Sequence, residues 1–208
     1  MKYHDFVLVP GVHFMKELIF KSCAASLCLA LAIPILLVNQ LYGSILFSLG
    51  LLTICVLKLK LFTGIAGFIF EDRISALYVS VILFSNLISG YIIGLLLSVM
   101  DSSLYNLALM RVEHWDFSLS YFIKAFMCGI IMYVAVKLFR ERNLFGIIIG
   151  VPLFLLSGFQ HSIANIIISG VCCTFNPAII LAIIGNLFGS LFVWFLSREF
   201  VMKLSLKL

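Results

Sequence analysis

The chain has 208 residues, of which 63% are hydrophobic and 11% charged, against roughly 45–50% and 25% in an ordinary soluble domain. A mean hydropathy of +1.22 excludes a soluble globule, twenty Phe exclude a disordered chain, and a net charge of +5 with no charged tail offers no extended surface to nucleic-acid phosphates. A membrane protein with several crossings remains, since at about 20 apolar residues per crossing the length accommodates about six spans and no further domain.

Residues 1–17 read as a short cytoplasmic N-terminus. They carry Asp5, Lys16 and Glu17 but lack the charged head and immediate apolar run of a cleaved signal peptide. The apolar segments then fall at roughly 18–39, 42–70 with a polar interruption, 75–100, 117–138, 144–171 with a second interruption, and 177–197. The expected turns are Asn39 to Gly43, Glu71-Asp72-Arg73, the longer and wetter Asp101 to Asp116, Arg140 to Asn143, and Cys172 to Pro177. Residues 198–208 form a second cytoplasmic tail, and 1–208 make a single transmembrane domain.

Alternating spans collect Lys2, Lys16, Lys21, Arg73, Lys137, Arg140, Arg142, Arg198, Lys203 and Lys207 on one side, leaving Arg111 and Lys124 on the other. That positive-inside bias puts both termini in the cytoplasm and independently supports six crossings, because an odd number destroys it. The six Cys show no CxxC spacing and no matching His pattern, so neither a metal nor a cofactor is expected; most read as small apolar helix residues.

The halves resemble each other. Ser85-Asn86-Leu87-Ile88-Ser89-Gly90 in span three matches Gly185-Asn186-Leu187-Phe188-Gly189-Ser190 in span six, and Asn86 follows Thr63 by 23 residues as Asn186 follows His161 by 25. This predicts an all-α fold with an inverted repeat of three spans, the second and fifth broken. Small residues at a helix interface are the competing explanation of the Asn motif.

The interruptions, Lys58 to Gly64 and Ser157 to Asn165, put polar residues and a Gly (Gly64, Gly158) at mid-segment. Broken backbone in hydrocarbon is tolerated only inside protein or along a wet cavity, so these stretches are expected to face a pathway, with half-helix N-termini favouring an anion. His161 is the titratable side chain of the second break and the central candidate. A buried neutral His bonded to a backbone carbonyl or to Asn165 is the structural alternative. Thr63 is its candidate partner, or else a cap of the next half-helix. Lys58 and Lys60 either draw an anion inward or cap the preceding half-helix. No Asp or Glu lies inside a span, which removes carboxylate rings and relays. Ser157 or Ser162 beside His161 suggests a hydrolase only weakly, since no intramembrane carboxylate is available to orient the His.

The string from Ser157 to Asn165 resembles the signature of the formate/nitrite transporter family. Leu61-Phe62-Thr63-Gly64 resembles that family's first broken loop, Phe47 to Leu51 its lead-in, and Asn86 and Asn186 its paired Asn-Leu motifs. The resemblance implies a homopentamer in the lipid bilayer of a bacterial inner membrane. Each protomer would be aquaporin-like and conduct formate, nitrite, hydrosulfide or a short carboxylate. It also implies His161 facing Thr63 at mid-pore, Leu51 with Phe154 at one constriction, and Leu61 with Phe62 at the other. Gln160, Lys60, Gly129 and Glu113 depart from the family's Glu, acid, Asn and Lys at those positions. The alternative functions are a neutral-solute or water pore and, from another class, a structural membrane subunit.

Overall fold

A computed structural model describes residues 12–205, with side chains to Arg198. The N-terminal segment before Val12, with Lys2 and Asp5, lies outside the described residues, as do the side chain of Lys203 and all of Lys207. The described residues form helices and connecting turns and include no strand. Four helices are long and apolar enough to cross a membrane: residues 12–38 taken together, Ala76–Met100, Leu119–Arg140 and the run from Ala178.

The first of these starts earlier than expected. α1 (Val12–Ala30) takes in Lys16, Glu17 and Lys21, because Glu17 and Lys21 pair one turn apart at 2.6 Å. The helix bends at Leu31-Ala32 before α2 (Ile33–Val38), where Pro34 has no N–H to give and crowds the carbonyl four residues back. The expected turn from Asn39 to Gly43 shrinks to Asn39 alone. Its side chain accepts the Tyr42 N–H at 3.1 Å and starts α3 (Gln40–Val56) at once.

α3 stops at Val56, and its continuation α4 (Phe62–Ile65), extended by a 3₁₀ turn to Phe68, starts only at Phe62. α5 (Ala76–Met100) follows, capped by Ser75. The wet third connection contains a helix the sequence reading overlooked, α6 (Ser103–Glu113), which buries Leu104, Ala108 and Val112 at helical spacing. α7 (Leu119–Arg140), α8 (Phe145–Leu156), α9 (Ser162–Val171) and α10 (Ala178–Ser205) complete the chain.

The α3 and α8 ends are built alike. Lys58 N–H reaches Cys55 O (3.3 Å) and Leu59 N–H reaches Ile54 O (2.9 Å), while Gly158 N–H reaches Leu155 O (3.1 Å) and Phe159 N–H reaches Phe154 O (3.0 Å). Each is a Schellman turn with its C′ residue in the left-handed region, at φ 54° for Lys58 and 70° for Gly158. Glycine holds that conformation freely; a side chain there costs on the order of 1 kcal/mol.

α7 packs along α10, and α5 along α9 and α1. At Gly129 the α7 backbone meets α10 so closely that an added Cβ would overlap the Asn186 carbonyl, with Asn186 Cα 2.9 Å away. The departure at Gly129 is therefore a steric requirement of this interface. Gly129→Ala is expected to destabilise the protein by about 2 kcal/mol, since the obstacle is backbone and cannot rotate aside. The thermal midpoint in detergent measures it, and an unchanged midpoint would refute the contact.

Candidate functional site

Asn86 and Asn186 hold the two breaks. Asn86 Oδ1 accepts the Phe62 N–H (2.8 Å), and its Nδ2 donates to Ser22 O (2.8 Å) and Lys60 O (3.1 Å). Asn186 Oδ1 accepts the Ser162 N–H (2.8 Å), and its Nδ2 donates to Ala125 O (2.9 Å) and Gln160 O (2.8 Å). Both side chains are wholly buried. A primary amide has the required chemistry, one acceptor for an orphan helix-start N–H and two donors, one for the loose carbonyl of the break and one for a carbonyl of the neighbouring helix.

These bonds correct the repeat's register. Phe62 and Ser162 each precede their Asn by 24 residues, so Leu61 answers His161, Lys60 answers Gln160 and Lys58 answers Gly158. Thr63 and His161 are not equivalent positions, which is why their separations of 23 and 25 disagreed. They meet nonetheless: Thr63 Oγ1 lies 2.9 Å from His161 Nε2, both buried.

His161 also serves as the N-cap of α9, its Nδ1 accepting the Ala164 N–H at 3.1 Å. An imidazole whose Nδ1 accepts is neutral and carries its proton on Nε2, so Nε2–H donates to Thr63 Oγ1. The structural alternative of a bond to a carbonyl or to Asn165 is not what the ring makes. Thr63 does not cap α4 either; Leu61 stands at that position and offers no side-chain bond.

Aromatic rings enclose the imidazole. Phe154 stacks on it with centroids 5.5 Å apart and planes at 19°, and Phe47 meets it edge-on at 5.9 Å and 77°. Phe47, a member of the lead-in motif, joins the site only through this contact. Its signal was its spacing, since Phe47 and Leu51 lie one turn apart on one face of α3.

Two cavities approach this pair from opposite ends. The first, about 490 Å³, is bounded by His161, Gln160, Asn165, Arg111, Lys124 and Trp115, among others. The second, about 320 Å³, is bounded by Leu51, Leu61, Gly64, Lys58, Lys60 and Arg140 among others. Leu51 and Leu61 thus share one cavity wall, Phe154 stacks at the imidazole, and the buried Phe62 lines neither cavity. The sparse basic residues Arg111 and Lys124, read from sequence only as orientation signals, both border the first cavity.

The Asn165 side chain does not reach the imidazole, although its backbone N–H donates to His161 O at 2.9 Å. Its Nδ2 lies 2.7 Å from Tyr121 Oη and 2.8 Å from Gln160 Oε1, and Gln160 Nε2 donates to Gly158 O at 3.0 Å. A glutamate at position 160 would set a negative charge beside the imidazole; the glutamine keeps this wall neutral and locks it into the Asn165–Tyr121 network. Among the described residues Ser162 Oγ is buried without a hydrogen-bond partner, so His161 does not activate it.

No protein-family model and no curated protein matches the chain. Among solved structures, it is similar to a pentameric formate channel with formate bound, at TM-score 0.69 and 19% identity, over 93% of this chain and 98% of that one. It is also similar to an FNT family ion channel, at TM-score 0.60 and 19% identity, over 88% and 85%. The chain has the all-helical fold of these channels and, with its long apolar helices, is a multi-pass membrane protein.

Proposed function

We propose that the protein is a channel or proton-coupled carrier for a small monovalent weak-acid anion, such as formate, nitrite, hydrosulfide or a short carboxylate. The observation that carries this reading is the Thr63–His161 contact, set among Phe47, Phe154, Leu51 and Leu61 with a basic-lined cavity on either side. The pentameric formate channel of like fold supports the substrate class and a homopentamer, and the alternation of basic residues along the chain supports six crossings. On this reading the cavity of Lys58 and Lys60 faces the cytoplasm of a bacterial inner membrane, the side favoured by ten Lys and Arg against two.

The electrostatics divide the work. Arg111 and Lys124 raise the anion's concentration in the first cavity. A bare charge cannot cheaply enter the apolar waist, so the permeant crosses it as the neutral acid. A neutral His161 cannot supply that proton without becoming an imidazolate; it comes from hydronium of the bulk solution, relayed through the water of the cavity and leaving water behind, and the Thr63–His161 pair gives the acid hydrogen-bonding groups at mid-passage. The same tautomer argues against a hydrolase, because the Ala164 N–H occupies the Nδ1 position that an orienting carboxylate would need.

Protein reconstituted in liposomes should carry formate, nitrite or hydrosulfide, and flux should rise as external pH falls toward the pKa of the permeating acid. A stopped-flow panel including acetate, lactate, glycerol and water tests this. Passage of glycerol or water without any of the weak acids would instead favour the neutral-solute pore.

A further inference from the structure

We infer that Lys58 and Lys60 form an anion-collecting site at the mouth opposite the one guarded by Arg111 and Lys124, and that it governs loading from that side. The inference rests on the anion-channel reading above. Lys58 occupies a left-handed turn position at φ 54°, where its repeat counterpart is Gly158 at 70°. The two turns have the same hydrogen bonds, so glycine suits this backbone, and lysine sits here against the backbone's preference. What lysine adds is a charge on the cavity wall.

Lys60 adds a second. Its C=O is gripped by Asn86 and its N–H reaches Lys21 O (3.3 Å), so its backbone is fixed, and its Nζ stands 6.0 Å from the Tyr78 ring centre. The neighbouring cations are matched: Arg140 by Asp72 in two bonds of 3.0 and 2.8 Å, Lys137 by Glu71 at 2.9 Å, Lys21 by Glu17 at 2.6 Å. Among the described residues no carboxylate pairs with Lys58 or Lys60. Glu17, whose charge reaches Lys60, is already bonded to Lys21, so among the described residues two charges without an ion pair of their own stand on a wall shared with Leu51, Ile54, Leu61 and Val136, where low-dielectric surroundings focus the field. The counterpart loop presents Gly158 and Gln160, and the cations of the first cavity come from α6 and α7 instead. A small monovalent anion, the proposed permeant, is the ligand this wall fits.

The test is Lys58→Gly, read as labelled-formate flux in liposomes of known protein orientation, with formate supplied from one side at a time. At about 10 mM salt, where the screening length is about 30 Å, flux from the Lys58 side should fall roughly threefold, more than flux from the other side. The melting temperature should stay or rise, Lys58→Arg should restore the flux, and Lys58→Gly with Lys60→Gln should lower it further. The difference should vanish near 1 M salt, where screening reaches about 3 Å. Lys58→Gly with the wild-type ratio of the two fluxes at low salt, or failure of Lys58→Arg to restore it, overturns the inference alone. A wild-type protein that carries no weak acid overturns the channel reading and this site with it.

Discussion

Asn186→Ala should lower the melting temperature in detergent by about 10 °C, and Asn86→Ala should do nearly the same. Each truncation strands one buried N–H and one carbonyl of the break, that of Gln160 or of Lys60, while the Ala125 and Ser22 carbonyls keep their places inside α7 and α1. A buried unsatisfied group costs roughly 1–3 kcal/mol, with no water nearby to soften the loss. Two together cost roughly 2–6 kcal/mol, and each kcal/mol is worth about 2–4 °C in a chain of this size. Asn186→Asp, which keeps the acceptor and loses both donors, should also destabilise, because a carboxylate would face two carbonyls. An Asn186→Ala protein melting within a few degrees of wild type would mean that something other than this amide secures the second break.

Replacing His161 separates its two roles. His161→Ala removes both the α9 cap and the bond to Thr63, so the protein should lose about 1–2 kcal/mol of stability and at least roughly tenfold in formate flux. His161→Asn offers an oxygen to the Ala164 N–H but is too short to reach Thr63 across the same gap. Stability should therefore largely return while flux stays low. If His161→Asn recovers both melting temperature and flux, the imidazole is a cap and nothing more, and the waist conducts without it.

The sequence was most legible where a residue type has one physical use. The Asn-Leu pairs marked the repeat and Gly64 and Gly158 marked the interruptions; that the amides hold the breaks and that Gly158 makes a left-handed turn came only with the structure. Resemblance brought His161 and Thr63 together, and they touch. What stayed hidden depended on depth and direction. Counting from Thr63 and His161 put the repeat out of step, because the bonded atoms are main-chain N–H groups one position before Thr63 and one after His161, and main-chain bonds leave no mark in side-chain identity. α6 looked like a wet loop, since only three of its residues turn inward. Arg111 and Lys124 entered the sequence reading only as a charge count, and their shared cavity stayed hidden, because such a count carries no information about which helices meet.

Both asparagines grip main-chain atoms alone: the N–H of Phe62 and of Ser162, and the carbonyls of Ser22, Lys60, Ala125 and Gln160. Such a clamp is indifferent to the side chains on the loops it holds. Lys60 and Gln160 sit in the same fastening, one charged and one neutral. The walls beside the breaks can therefore be recharged by single substitutions while the skeleton stands unaltered.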